Sequence, residues 1–429
     1  MLQFPRSRRE VSRRLRKLVQ ARTPSARPVL TAGLVLALAL TAVGGAASAA
    51  RTATTKPARS QAEAKFGPKD VQAFTSVVRK EMAKERIPGV SVGVWVPGRG
   101  SWVRSFGVAN RSTRARMRSD LHVRIASITK TFVATAVLQL VDRGRLRLED
   151  RLDKFVKGIP NGDEITIREV LGMTAGIYDY TMDDGFTRRF DRNRLASWSP
   201  KQAIAIVKKH GPDFSPGERV SYSDSNYILL GLIIEKLTRR PVEKVIKTQI
   251  LDRLGMKQTS FPTTPRIPRP FARGYFAGHN GKGPLRDFTA INPNLAWTAG
   301  AMISTLRDLR TWARALATGR LLKEPTHRAQ VSFRQIPNPG LYVGYGLGAF
   351  NIAGFVGHNG AIFGFNSAMF YLPRARATFV VTLNKSTNFS GDATDIFVGI
   401  ARHLFPGRFS TAGGQERQRD LRGPRVTPG

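Results

Sequence analysis

The sequence has no cysteine among its 429 residues. That absence removes disulfide scaffolds, thiolate metal sites, thiol nucleophiles and lipidated cysteines together, without excluding an oxidising compartment. Any nucleophile is therefore oxygen or nitrogen. Acidic residues are scarce, 30 against 69 Lys and Arg, for a formal charge of +39. The six histidines, His122, His210, His279, His327, His358 and His403, lie far apart with no His-x-x-x-His on one helix, so no metal and no cofactor is expected. The apolar stretch from Val29 to Val43 is about 15 residues, short of the roughly 20 that a bilayer span requires. No repeat at solenoid periods occurs.

What is present is enough for a sizeable core: 41% hydrophobic, 9% aromatic and 23% charged residues exclude wholesale disorder. The length allows one large domain or two intimate ones. Residues 1–28 hold nine Arg and Lys against Glu10 alone, so a leader accounts for only part of the excess. The remaining cations are scattered, without basic-aromatic interleaving or a recognition helix, which argues against nucleic acid as a partner. A basic surface of this kind suits anionic cell-envelope polymers.

The basic stretch through Arg27, the apolar run after it and the small residues ending Ala47-Ser48-Ala49 read as an export signal over residues 1–49. This predicts a secreted or extracytoplasmic protein, with a membrane as partner only if the leader is retained as an anchor. Residues 50–68 read as a polar linker, 69–405 as the folded domain and 406–429 as a flexible tail. Apolar spacing predicts helices over Lys69–Glu85, Ser127–Val141, Pro200–Lys209, Tyr227–Leu237 and Asp392–Leu404. Strands are expected at Val90–Val96 and Trp102–Val108, joined by Pro97-Gly98-Arg99-Gly100, and at Tyr342–Phe350, Phe355–His358, Ser367–Leu372 and Thr378–Leu383. The pattern predicts an α/β fold in which N- and C-terminal portions share one antiparallel sheet flanked by helices, around an inserted, mainly helical region.

Three short motifs carry chemistry. Ser127-Ile128-Thr129-Lys130 is the only Ser-x-x-Lys in the chain, and three-residue spacing on a helix puts hydroxyl and amine on one face. A Ser hydroxyl needs such a base to become nucleophilic, and a helix N-terminus offers free N–H groups to an oxyanion. Tyr222-Ser223-Asp224 precedes an apolar helix, where a phenol can face a cleft and nearby ammonium charge would favour a phenolate or a proton shuttle. His358-Asn359-Gly360-Ala361 ends a strand-like run. Its small residues let a substrate lie along the strand edge, the Ala361 N–H can complete an oxyanion hole with that of Ser127, and His358 supplies a polar or cationic group.

In this order and separation, these motifs resemble those of the serine beta-lactamase-related, penicillin-recognising hydrolases. The closer resemblance is to class C beta-lactamases and D-alanyl-D-alanine carboxypeptidase-type enzymes. Ile165–Leu171, Phe214-Ser215-Pro216-Gly217, Gly300–Thr305 and Tyr345-Gly346-Leu347-Gly348 extend it across 69–405. The resemblance implies a Ser127 nucleophile, a Lys130 general base and a proton-shuttling Tyr222, acting through an acyl-enzyme on a small-molecule or peptide substrate. It further implies substrate contacts at Asp224, His358, Asn359, Gly360 and Ala361, with His358 tuning Tyr222 and receiving a substrate carboxylate. D-amino-acid peptides related to cell-wall stems are the expected substrates, with esters or weak beta-lactam hydrolysis as alternatives.

Two departures bear on specificity. Asp224 stands where the family usually has Asn, so a group that donates and accepts becomes one that only accepts. Placed close to Lys130, it would also hold that amine in its charged form. Gly172-Met173-Thr174-Ala175-Gly176 replaces the more usual His-Thr-Ser-Gly. Both favour peptidase or esterase over beta-lactamase activity. Two rivals remain: the nucleophile-elbow pattern Gly89-Val90-Ser91-Val92-Gly93, which sits in an alternating strand rather than a strand-to-helix turn, and a silent envelope-binding protein that keeps the cleft without turnover.

Overall fold

The computed structural model describes residues 65–409 apart from 280, 282, 339–340 and 387–391. The expected export signal, most of the expected linker and residues 410–429 lie outside the described residues.

In chain order the principal elements are α1 (Pro68–Glu85), β1 (Gly89–Val96), β2 (Gly100–Gly107), α2 (Thr129–Asp142), α3 (Pro200–His210), α4 (Asp224–Thr238) and α5 (Leu306–Ala317). They are followed by β3 (Arg334–Ile336), β4 (Val343–Tyr345), β5 (Phe350–Ile352), β6 (Phe355–Ile362), β7 (Phe365–Leu372), β8 (Ala377–Leu383) and α6 (Asp392–Leu404). The eight strands form one sheet in the order β2-β1-β8-β7-β6-β5-β4-β3, antiparallel throughout. The C-terminal strands form a meander and the N-terminal hairpin adds to its far side, with Val90 opposite Leu383. The terminal portions therefore share the sheet, as the sequence pattern predicts.

Strand alternation divides the core between the two faces. Val90, Val92, Val94, Phe370, Phe379 and Phe355 pack beneath α1 and α6, whereas Trp95, Met369, Val356 and Ile362 join the larger core that includes α2, α4 and α5. Because helices cover both faces, β1, β7 and β8 are buried along their whole length. Helix α2 is buried from Thr129 to Leu140, the expected state of a helix at the centre of a helical layer.

The strand expected over Tyr342–Phe350 is instead a hairpin of β4 and β5. Gly348, at φ +87°, makes the turn, and a Cβ there would lie 2.3 Å from that of Ala134 on α2. Strand β6 runs four residues past His358, so the third motif lies inside the strand and not after it. Residues 406–409, expected to belong to the tail, form a 3-10 turn whose Phe409 ring lies 6.1 Å from Phe355. Among the described residues, no helix is long and apolar enough to cross a membrane.

Phe397 of α6 is fully buried, stacked on Phe370 at 4.4 Å and edge-on to Phe355 and Phe379. Removing it leaves a cavity between helix and sheet. Phe397→Ala is expected to destabilise the domain by about 3–5 kcal/mol, read as a lower urea midpoint.

Candidate active site

Ser127 lies in the 3-10 turn Ala126–Ile128 that feeds α2, with Ala126 before it in the left-handed region at φ +49°. The start of α2 places Lys130 one turn on, and Lys130 Nζ lies 3.2 Å from Ser127 Oγ. Two further partners hold the same nitrogen: Asp224 Oδ1 at 2.5 Å and the Ala299 carbonyl at 2.6 Å. The Lys130 side chain is fully buried, with the Tyr222 and Tyr227 rings 4.9 and 5.6 Å from Nζ. This set of partners suits both protonation states. A charged ammonium directs three protons at them, and a neutral amine gives two N–H groups to the carboxylate and carbonyl while its lone pair faces the Ser127 hydroxyl.

Ser223 occupies the N-cap position of α4, which puts Tyr222 just before the helix and Asp224 in its first turn. Tyr222 exposes 39% of its surface, yet its hydroxyl turns inward to hydrogen-bond Ser127. Burial, reinforced by Asp224, pushes that phenol well above its ordinary range, outweighing the Ser127 hydrogen bond. Tyr222 is thus a neutral phenol, and the phenolate suggested by the sequence is not the resting form.

Strand β6 supplies the opposite wall, and its alternation corrects the expected roles of the third motif. His358 faces the site but is completely buried, its ring 6.1 Å from Tyr222 and 4.8 Å from Phe350. Its Nδ1–H donates to the Asn359 carbonyl at 2.5 Å, and Nε2 lies 3.4 Å from the Tyr345 hydroxyl. Burial pushes the imidazole down to about 3, opposed by the Asn359 bond and aided by Lys130. A sealed, neutral ring provides no cation for a substrate carboxylate. Asn359 points to the other face, where its Nδ2 donates to Thr394 of α6 at 3.0 Å, so its side chain is structural rather than substrate-binding.

Gly360 faces the nucleophile turn, and a Cβ on it would stand 2.4 Å from the Ile125 carbonyl and 2.8 Å from Ser127 N. Only glycine lets the strand approach this closely. Ile362 and Phe365 close a two-residue turn and pair with each other, so Ala361, one residue earlier, directs its N–H away from β7. Strand β5 pairs only with Phe355, Val356 and Gly357, leaving that edge open beside Ser127. The amides of Ser127 and Ala361 are thus available as a pair of oxyanion donors.

Several contributors escape the motifs. Tyr345 hydrogen-bonds Tyr227, whose hydroxyl donates to the Leu171 carbonyl at 3.2 Å, and Tyr345-Gly346-Leu347-Gly348 is among the stretches that resemble the family. Asp179 carries no sequence signal at all. It accepts from the N–H and hydroxyl of Thr181 at 3.0 and 2.9 Å and from the backbone of Asp224. Burial, then the Asp224 charge, pushes its carboxyl up to about 7 despite those bonds. Met173 replaces a polar residue of the usual pattern as a buried acceptor, its sulfur taking the Ser223 N–H at 3.4 Å and the Asn226 amide at 3.3 Å.

The rival nucleophile Ser91 is 1% exposed within β1, bonded to Ser105 Oγ at 2.9 Å and the Arg118 carbonyl at 3.1 Å, and no substrate reaches it. A grouping with metal-ligand spacing among the described residues, Glu81 and Glu85 of α1 and Asp392 of α6, lies on the helices of the far side of the sheet. Lys84 and Lys385 already form ion pairs with it.

Two outcomes follow from this geometry. Imidazole 15N shifts should report a neutral His358 at pH 5, and its depressed value makes folding stability fall as pH drops below about 6.5, the free histidine range; an imidazolium signal at pH 5 contradicts the assignment. Gly360→Ala should push the Ser127 turn away from β6 and lower kcat/KM by about 100-fold or more while the far-UV spectrum stays native.

The Beta-lactamase family profile matches residues 74–402, about three quarters of the chain. Protein flp of Staphylococcus aureus is 28% identical over 330 residues, covering 74% of this chain and 64% of that protein. The chain thus spans less than two thirds of that relative's length. A D-stereospecific amidohydrolase from Streptomyces sp. is 32% identical with TM-score 0.69, covering 76% of this chain and 97% of its own. The D-amino acid amidase of Ochrobactrum anthropi SV3, at 23% identity, TM-score 0.69 and coverage of 79% and 99%, shares the fold. With Ser127, Lys130 and Tyr222 gathered in one cleft, the chain belongs to the Beta-lactamase family of serine hydrolases.

Proposed function

We propose that the protein hydrolyses peptides or amides with a D-configured acyl residue through an acyl-enzyme on Ser127. The carrying observation is the environment of Lys130 Nζ, 3.2 Å from the Ser127 hydroxyl: with one proton given up, its two N–H groups serve the Asp224 carboxylate and the Ala299 carbonyl, and its lone pair faces that hydroxyl. Ser127 Oγ attacks the carbonyl carbon and its proton passes to Nζ. The developing oxyanion is held by the amides of Ser127 and Ala361. As the C–N bond breaks, the neutral Tyr222 phenol protonates the leaving nitrogen and is reprotonated from Lys130. Water then attacks the ester, returning the proton to Ser127 and releasing the acid.

Similarity to a D-stereospecific amidohydrolase supports the D configuration. The carboxypeptidase form of this reading, with His358 receiving a terminal carboxylate, lacks its cation because that ring is buried and neutral. The leader over residues 1–49 would deliver the enzyme to the cell envelope, where D-amino-acid peptides are built into the wall.

Intact-mass measurement after incubation with a fluorophosphonate or penicillin checks the mechanism. The wild type should gain one adduct, Ser127→Ala none, and Ser91→Ala the same adduct as wild type. Lys130→Ala should lower kcat/KM by about 1,000-fold or more. A folded wild-type protein that no probe labels would instead support the silent binding role.

A further inference from the structure

Asp224 and Asp179 bring two carboxylates to the cleft that Ser127 opens onto, and the use each makes of its oxygens points to the acyl group that binds there. The inference rests on the acyl-enzyme reading above. Asp224 gives Oδ1 to Lys130, its Oδ2 takes no hydrogen bond from the described residues, and its side chain is 26% exposed. Ser127 and Asp224 are held to the same Nζ, at 3.2 and 2.5 Å, so a group on the carbon next to an attacked carbonyl reaches that carboxylate. An ionised carboxylate only accepts, so the substrate atom that meets Oδ2 is a donor.

Asp179 stands behind it, tied through its own carboxylate to the Asp224 amide and to Thr181. Among the described residues it forms no ion pair, and the only cation paired with Asp224 is Lys130. Two carboxylates against one ammonium leave the cleft locally negative on a chain whose formal charge is +39. Burial first and the Asp224 charge second push the Asp179 carboxyl up to about 7, so a cation seated beside the pair would favour its ionised form. At the other wall, His358 offers no positive charge. The charge pattern therefore suits a substrate that is positive on its acyl side and has no need of a negative leaving group.

We propose that the acyl residue transferred to Ser127 keeps a free α-ammonium, seated on Asp224 Oδ2 with Asp179 supplying the second negative charge. The enzyme then removes an amino-terminal residue from a peptide or amide, and Asp224 and Asp179 determine that specificity. A charge-assisted bond of this kind discriminates strongly against the acylated amine, which has lost its charge and gained bulk.

The test compares D-alanine p-nitroanilide with N-acetyl-D-alanine p-nitroanilide on the full chain. The wild type should favour the free amine in kcat/KM by about tenfold or more. In Asp179→Asn that ratio should shrink about tenfold, through KM rather than kcat; in Asp224→Asn, whose amide can donate, the preference should turn toward the acetylated substrate. The wild-type comparison stands even if a variant fails to fold. Equal or better turnover of the acetylated substrate by wild type, or an unmoved ratio in folded Asp179→Asn, overturns the proposal while leaving the acyl-enzyme intact. Failure of wild type to react with either anilide or with a fluorophosphonate overturns both.

Discussion

The ammonium of Lys130 sits where water does not reach, and the rest of the site is arranged around that fact. Removing a charged amine from solvent costs several kcal/mol unless it is paired and hydrogen-bonded. Of the three groups that compensate it, Ser127 lies one turn back along the chain, while the carboxylate in the first turn of α4 and the carbonyl of Ala299 come from far along it. Packing of α2, α4 and the Trp297–Gly300 turn is therefore a condition for satisfying the charge, and satisfying the charge draws the nucleophile, the carboxylate and the amine together. Helical folding and catalytic assembly are one requirement here.

Around that charge the cleft is graded. Its floor is sealed by aromatic and neutral groups: Tyr227, Tyr345 and His358 are buried, and Tyr222 turns its hydroxyl inward. Its opening carries the partly exposed carboxylate of Asp224, with Asp179 behind it. The proposed proton transfers would thus take place in a dry interior, where hydrogen bonds are electrostatically strong, and the proposed recognition at a polar rim.

How much of this was legible in the chain depends on whether a residue's role is local. Ser127 and Lys130 are one helical turn apart, so their pairing could be read directly. The shared sheet could also be read, because buried strands announce themselves as apolar runs at both ends of the domain. Gly360 was identified, though its reason, the contact with Ile125 and Ser127, is long-range. The third motif reads as the end of a strand, which hides the side of Asn359; within β6 the side chains alternate, and Asn359 falls on the α6 face. For His358 the sequence leaves a polar or a cationic group open, because composition says nothing of burial, and burial makes it the neutral one. Asp179 and the Ala299 carbonyl were invisible: one is an acid in a long loop and the other a backbone atom, and only tertiary packing gives either a role.

The topology of the sheet has a kinetic side. β1 is an interior strand, flanked by β2 on one side and by β8 on the other, and β8 leaves the ribosome roughly 290 residues after it. Until then the early hairpin has an unpaired, apolar edge and no partner, so a growing chain accumulates its most aggregation-prone surface first and covers it last. Synthesis must run nearly to the end of the domain before the central pairing closes, and any holding factor that shields β1 in the interval decides how much of the polypeptide reaches the native state.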